Sequence, residues 1–293
     1  MRVGIIDVGS NTVRLLAAER GAGGVVYPLR EARRQVGLGE TIERRGRITD
    51  AKLEETARTA RHYGKLARQL DCHRLEVVVT APGRQSANAD ELLGALRRAV
   101  GVVPRVLSAE SEGRLAYMGA VAAAGERPGM VAVCDVGGGS TEIAFGDGCE
   151  EPEWVDSVDV GSLRLTSRFF ADGSSTQAAV RAARLEVRAH LEPIGAVADV
   201  ALAAGGSARG LRKLVGRRLG PHELVSALDL LTGRHPAKVA RKHGLDPGRA
   251  QTLLAGAVIL TEVQAMLSVP FEVARGGLRE GLAWELLAQP QAA

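Results

Sequence analysis

Apolar and polar positions along this 293-residue chain switch repeatedly between the period of a strand and that of a helix. The first run, Val3 to Asp7, is short, continuously apolar and closed by an acid, a Val and a Gly. That pattern predicts a buried strand feeding a tight turn. Strands are predicted again at Val13 to Ala18 and Val25 to Leu29. Beyond Thr49 or Asp50 as N-cap, Leu53, Ala57, Ala60, Gly64, Ala67 and Leu70 recur at helical spacing and predict a long amphipathic helix. A strand at Leu75 to Thr80, a helix over Asp90 to Val100, a short strand at Arg105 to Leu107 and a helix from Ser111 to about Ala124 follow. The alternation predicts an α/β domain.

The opening is then repeated. Ile5-Ile6-Asp7-Val8-Gly9-Ser10-Asn11-Thr12-Val13 is echoed by Val133-Cys134-Asp135-Val136-Gly137-Gly138-Gly139-Ser140-Thr141-Glu142-Ile143, and Asp135 stands 128 positions after Asp7. Each copy reads as strand, Asp-Val-Gly, small polar turn, strand, which predicts a duplicated domain. The second half continues with a strand near Trp154 to Val160, helices over Ser162 to Ala171 and Thr176 to Leu191, and a strand at Val200 to Ala204. After Gly205-Gly206-Ser207 it reads as mostly helical, with Gln251 to Met266 the most apolar stretch. A hinge between the halves is expected around Gly119 to Gly129.

Composition narrows the function classes. Aromatic residues are only 3% of the chain, so Ala, Val and Leu must fill the cores and stacking platforms for nucleic acid are scarce. Cys72, Cys134 and Cys149 are widely spaced and odd in number, which suggests neither a disulfide framework nor a zinc site. The N-terminus enters the first strand without a leader pattern, and no apolar run is read as a membrane span. A cytoplasmic protein is expected, with homodimers the base expectation for assembly. The net charge of +4 comes largely from arginine. Arg30, Arg33, Arg34, Arg44, Arg45 and Arg47 bracket a glycine-containing loop, and guanidinium groups suit phosphate oxygens, so this run is a candidate polyanion surface.

The two turns carry the candidate chemistry. Gly9, Ser10, Asn11 and Thr12 offer clustered backbone N–H groups and hydroxyls, a concave donor set that suits a phosphate. Gly137, Gly138, Gly139, Ser140 and Thr141 offer the same with less bulk, so main chain can approach an anion closely. An acid at the end of a buried strand is costly unless it is hydrogen-bonded or binds a cation. Asp7 and Asp135, with Glu142 beside them, are therefore candidate ligands for Mg²⁺, for which Mn²⁺ can substitute. No Walker, dinucleotide or G-x-S-x-G motif occurs, which leaves attack by an activated water.

These motifs resemble the exopolyphosphatase and guanosine-pentaphosphate phosphatase (Ppx/GppA) family of the actin-like ATPase superfamily over nearly the whole chain. The resemblance includes Val36 to Glu40, Thr80-Ala81-Pro82-Gly83-Arg84, Leu107 to Leu115, Asp159 to Thr166, Gly205-Gly206-Ser207 and Gly276-Gly277-Leu278-Arg279-Glu280-Gly281. It implies an α/β fold of two duplicated actin-like (ribonuclease H-like) domains with a cleft between them. Domain bounds of 1–121 and 122–282 are expected, with a terminal helix at about 283–293 packing back on the first. It further implies a glutamate general base at an interdomain helix, aligned on Glu112 with Glu110 as its near neighbour, and an arginine, Arg84, reaching the phosphate chain. Gly206 and Ser207 would line the phosphate path. The family pattern departs at Ser111 and at Gly113, where alanine is usual. The implied substrate is inorganic polyphosphate or guanosine pentaphosphate. An actin-like kinase and a non-catalytic polyphosphate or alarmone sensor remain as readings from other classes.

Overall fold

The computed structural model describes residues 1–21, 25–125, 127–149, 151–171, 175–191 and 197–288. The first half runs β1 (Arg2–Val8), β2 (Thr12–Arg20), β3 (Val26–Gln35), α1 (Leu38–Arg45), α2 (Asp50–Gln69), β4 (Arg74–Val79), α3 (Ala81–Gln85), α4 (Ala89–Val100), β5 (Arg105–Val106) and α5 (Ala109–Ala124). The second runs β6 (Val131–Val136), β7 (Thr141–Gly146), β8 (Trp154–Val158), α6 (Ser162–Phe169), α7 (Gln177–Leu191), β9 (Val200–Ala204), α8 (Gly205–Val215), β10 (Arg218–Leu219), α9 (Pro221–Leu231), α10 (Pro236–His243), α11 (Pro247–Leu267), β11 (Phe271–Val273) and α12 (Leu278–Ala288). Among the described residues the strands form two sheets, ordered β3-β2-β1-β4-β5 and β10-β11-β9-β6-β7-β8.

The duplication is visible in the pairing. β1 lies antiparallel to β2 and parallel to β4, as β6 lies antiparallel to β7 and parallel to β9. Even the turn bond is repeated: Gly9 N–H donates to Thr12 O and Gly137 N–H to Ser140 O, both at 3.0 Å.

Strand alternation decides where the two aspartates go. Ile6 and Val8 of β1 join the core made with α2 and α4, whereas Val3 and Ile5 join Leu115 and Met118 of α5 and Leu282 and Leu286 of α12. In β6, Ala132, Cys134 and Val136 enter the large core around α7 and α11, and Val131 and Val133 pack on Tyr117, Ala120 and Val121 of α5. Asp7 and Asp135 belong to the α5-facing sets, so each points toward the helix between the domains.

Several expectations need correction. The glycine loop bracketed by arginines is a helix, α1, entered through Gly37 in a left-handed conformation. Arg44 pairs with Glu40, Arg47 with Glu91, Arg34 with Glu55 and Arg33 with Asp246, so most of that run has acidic partners; Arg33 alone of the six lines the cleft. The expected hinge starts inside α5, where Gly119 lies at the crossing with α12. A Cβ there would meet Gly277 O at 2.1 Å, and one on Gly281 would meet Leu115 O at 2.0 Å, so the two backbones touch. Residue 126 of that hinge and residues 289–293 of the expected terminal helix lie outside the described residues. β10 and β11 are too short to leave a periodic signal, yet they extend the second sheet. Helix α11 is long and apolar enough to cross a membrane, contrary to the expectation, but 78% of its most apolar window is buried among α6, α7, α8 and α9, the position of a core helix.

Candidate active site

A cleft between the two domains is lined by both turns and by the ends of the strands and helices that meet there. Gly9, Ser10, Asn11 and Thr12 face Gly137, Gly138, Gly139 and Ser140 across it, with Gly206 and Ser207 at the start of α8. The turns approach so closely that a Cβ on Gly139 would sit 2.6 Å from Ser10 Oγ. The N-terminus of α8 adds its free N–H groups and dipole to an anion-binding surface. Thr141 departs from its expected role. It is fully buried, its hydroxyl donates to Val160 O at 2.5 Å, and it does not line the cleft.

Glu112 reaches this cleft from the first turn of α5. Its neighbour Ser108 is the N-cap, and the Ser108 Oγ accepts from Ser111 N–H at 3.1 Å. The cap is thus made by two serines, which leaves the Glu112 carboxylate free of capping. Glu110 is exposed on the other side of the helix start, while Glu112 is 8% exposed. Arg84, in α3 just beyond β4, donates from Nη1 to Glu112 Oε2 at 2.9 Å and to Leu107 O at 2.8 Å. Arg84 therefore holds the carboxylate directly rather than lining the cleft itself.

Behind Glu112 lies Glu142, the cross-strand partner of Asp135, which does not itself line the cleft. It accepts from Ser157 Oγ at 3.0 Å and packs against Gly113. A Cβ on Gly113 would come within 2.5 Å of Val155 and 3.3 Å of Glu142 Cβ. Glycine at this departure from the family pattern lets the helix close onto β7 and β8, which brings the two glutamates together. Burial first, then the Glu142 charge, push the Glu112 pKa well up against the pull of Arg84. Burial likewise raises Glu142 to about 7. Both carboxyls are therefore pushed toward their protonated forms.

The remaining wall is charged. Asp7, Asp135 and Glu280 line it with Arg14, Arg33, Arg209, Arg249 and Arg279. Burial raises the pKa of Asp7, opposed by Arg14 and Arg279, and raises that of Asp135, opposed by Arg209 and Arg14. Burial and the neighbouring Arg279 and Arg209 lower Arg14 to about 9. Arg279 pairs with Glu31 at 3.4 Å and Glu280 at 3.6 Å and Arg33 with Asp246 at 3.0 Å, whereas cations crowded as closely as Arg14, Arg209 and Arg279 favour an anion between them. Three orphaned atoms point the same way: Asn11 Oδ1, Arg33 Nε and Arg249 Nε are buried with no hydrogen-bond partner. Turned over, the Asn11 amide presents its NH₂ group to an anion.

Arg14, Arg209, Arg249, Arg279 and Glu280 were not singled out from sequence. Arg14 had a signal, since it shares a strand face with Thr12 and donates from Nε to Thr12 Oγ1 at 3.1 Å. Arg279 and Glu280 stand inside the closing glycine motif. Arg209 and Arg249 had none, being solvent-type residues on helices until the domains meet.

Among the described residues no three His, Cys, Asp or Glu side chains converge closely enough to hold a metal alone. The hard oxygen set of Asp7 and Asp135 beside a phosphate-type cradle nevertheless fits Mg²⁺, which is commonly bound by one or two carboxylates together with substrate phosphates.

The Ppx/GppA phosphatase family model matches residues 17–289. The chain is 29% identical over 300 residues to exopolyphosphatase 1 of Mycobacterium tuberculosis, covering 96% of this chain and 87% of that protein. It is 30% identical over 294 residues to exopolyphosphatase 2 of the same organism, covering 89% of each. A crystal structure of the Aquifex aeolicus Ppx/GppA family member superposes with a TM-score of 0.83 at 28% identity, covering 100% of this chain and 99% of that one.

Proposed function

Since the chain belongs to the Ppx/GppA phosphatase family, we propose that it is an exopolyphosphatase, releasing the terminal phosphate of inorganic polyphosphate by attack of water. The observation that carries this reading is the position of Glu112, a buried carboxylate projecting from the head of α5 into the cleft that both phosphate-type turns line.

In the proposed reaction the two turns and the start of α8 hold the terminal phosphate. Arg84 fixes Glu112 in one rotamer, so the carboxylate accepts the proton of a water aligned with the terminal phosphorus. The water oxygen bonds to phosphorus, the bridging P–O bond breaks, and the electron pair leaves with the shortened chain. Phosphoryl transfer of this kind depends mainly on positioning and charge neutralisation. Arg14 and its neighbouring arginines supply the fixed positive charge. Asp7 and Asp135 are the proposed Mg²⁺ ligands, and the ion would neutralise phosphate oxygens when bound.

An inorganic chain suits this site better than a nucleotide, because no aromatic side chain lines the cleft among the described residues. The test is phosphate release with Mg²⁺ from polyphosphates of several lengths, beside guanosine pentaphosphate and ATP. Release from polyphosphate with the highest kcat/KM supports the reading. Preference for guanosine pentaphosphate replaces it with the alarmone phosphatase reading, and tight polyphosphate binding without release replaces it with a sensor.

A further inference from the structure

A second basic surface adjoins the cleft without belonging to it. Arg33 lies on β3, the edge strand of the first sheet, and lines the cleft on one side. On its other side it lines a groove between β3 and α2, together with Arg34, Arg58, His62 and Glu55. The two depressions share this one side chain.

The charges in the groove are unequally satisfied. Glu55, its sole acid, already takes Lys52 at 3.0 Å and Arg34 at 3.6 Å. Arg58 and His62, one helical turn apart on the exposed side of α2, have no acidic partner among the described residues within salt-bridge distance. Arg33 is bound through Nη1 to Asp246 at 3.0 Å, yet its Nε is buried without an acceptor. An arginine-bearing edge strand protects a sheet from edge pairing, and that accounts for Arg30. It does not account for Arg58 and His62, which come from a different element and face the same groove.

We propose that this groove is a distal binding site for a condensed phosphate chain, which leaves the cleft past Arg33 and lies along Arg34, Arg58 and His62. The inference rests on the exopolyphosphatase reading and deepens it. A chain whose end is held between the turns must pass out of the cleft, and the arginine common to both depressions marks the way. Short chains end before the groove; long chains gain its contacts. The groove therefore makes the enzyme favour longer substrates, and that added binding depends on salt because it comes from charge.

The test compares wild type with Arg58→Ala and Arg34→Ala/Arg58→Ala, using tripolyphosphate and long-chain polyphosphate across a range of salt concentrations. Both residues are exposed, and thermal melting checks that the variants remain folded. The ratio of kcat/KM for long chains to that for tripolyphosphate should fall about tenfold in the double variant, as loss of charged contacts predicts. Its salt dependence should flatten at the same time. An unchanged ratio with polyphosphate still hydrolysed overturns the groove and leaves the exopolyphosphatase reading standing. Loss confined to guanosine pentaphosphate turnover overturns it too, and assigns the groove to a nucleotide. A wild type that releases no phosphate from polyphosphate of any length removes both.

Discussion

The two copies of the repeated hairpin differ most where their geometry differs least. Asp7 is paired across its hairpin with Arg14, and Asp135 across its own with Glu142, at matching positions of the same register. In the first copy the partner is a cation turned into the cleft. In the second it is a carboxylate turned against α5, beside Glu112. One backbone template has thus been given two tasks. In the proposed reaction the first hairpin supplies positive charge toward phosphate, and the second supplies a negative neighbour that raises the proton affinity of Glu112. Symmetric folds need not make symmetric sites.

That division of labour can be broken in order of severity. Glu112→Gln keeps the side-chain volume but cannot take a proton, so kcat should fall by about 10²- to 10⁴-fold. KM should change little, as steady-state phosphate release will show. Arg14→Gln removes the charge of the first hairpin. With a charged hydrogen bond worth roughly 1.5–3 kcal/mol, kcat/KM should fall on the order of ten- to a hundredfold. Equal losses on replacing Arg14 and Glu142, with the same pH profile, would erase the distinction between the hairpins.

Glu142→Gln tests the second task through pH. A base held protonated by burial and a like charge works only above a raised pKa, so activity should climb with pH along a limb displaced above the ordinary glutamate range. Removing the Glu142 charge leaves burial as the main cause raising Glu112 against the pull of Arg84, and the limb should move to lower pH. Stability has its own sign. A Glu142 pKa of about 7 against an ordinary 4.5 means its stabilising protonated form is fully present below about 4.5 and is lost as pH rises through about 7. The Gln variant should therefore lose less stability over that window, measured by urea unfolding at several pH values. Gly113→Ala should have the smallest effect on chemistry, since it pushes α5 away from Val155 and Glu142 while leaving both carboxylates in place. Overpacking of this kind costs about 1–3 kcal/mol and should lower the thermal midpoint.

Much of this was legible in the chain before folding. The repeat at Asp7 and Asp135 announced two related domains, because its strand, acid, glycine and hydroxyl order is local and recurs whole. Which side of β1 and β6 the aspartates take was not legible, because both strands are apolar on both faces. What stayed hidden depends on contacts between distant segments. Arg209 and Arg249 read as ordinary helical surface until α8 and α11 meet β2 and β3 at the cleft. Glu142 read as a metal ligand by proximity to Asp135, whereas cross-strand neighbours on a sheet can serve different partners once a helix covers one of them. Thr141 read as part of the turn, although its hydroxyl belongs to Val160.

The contact of α12 with α5 has a consequence for how the molecule is made. Leu282 and Leu286 fill the α5 side of the first sheet, each burial contributing about 1.5–3 kcal/mol. They come from a helix that follows the whole second domain in sequence, so the first domain closes its own core only after the second has been synthesised. A ribosome that has delivered residues 1–124 has made every strand of the first sheet but not the helix that seals it. Folding of the first domain therefore waits on the far end of the chain, a connection of high contact order that slows closure. A chain interrupted before Leu278 leaves the α5 backbone at Gly119 and the apolar face beside it uncovered.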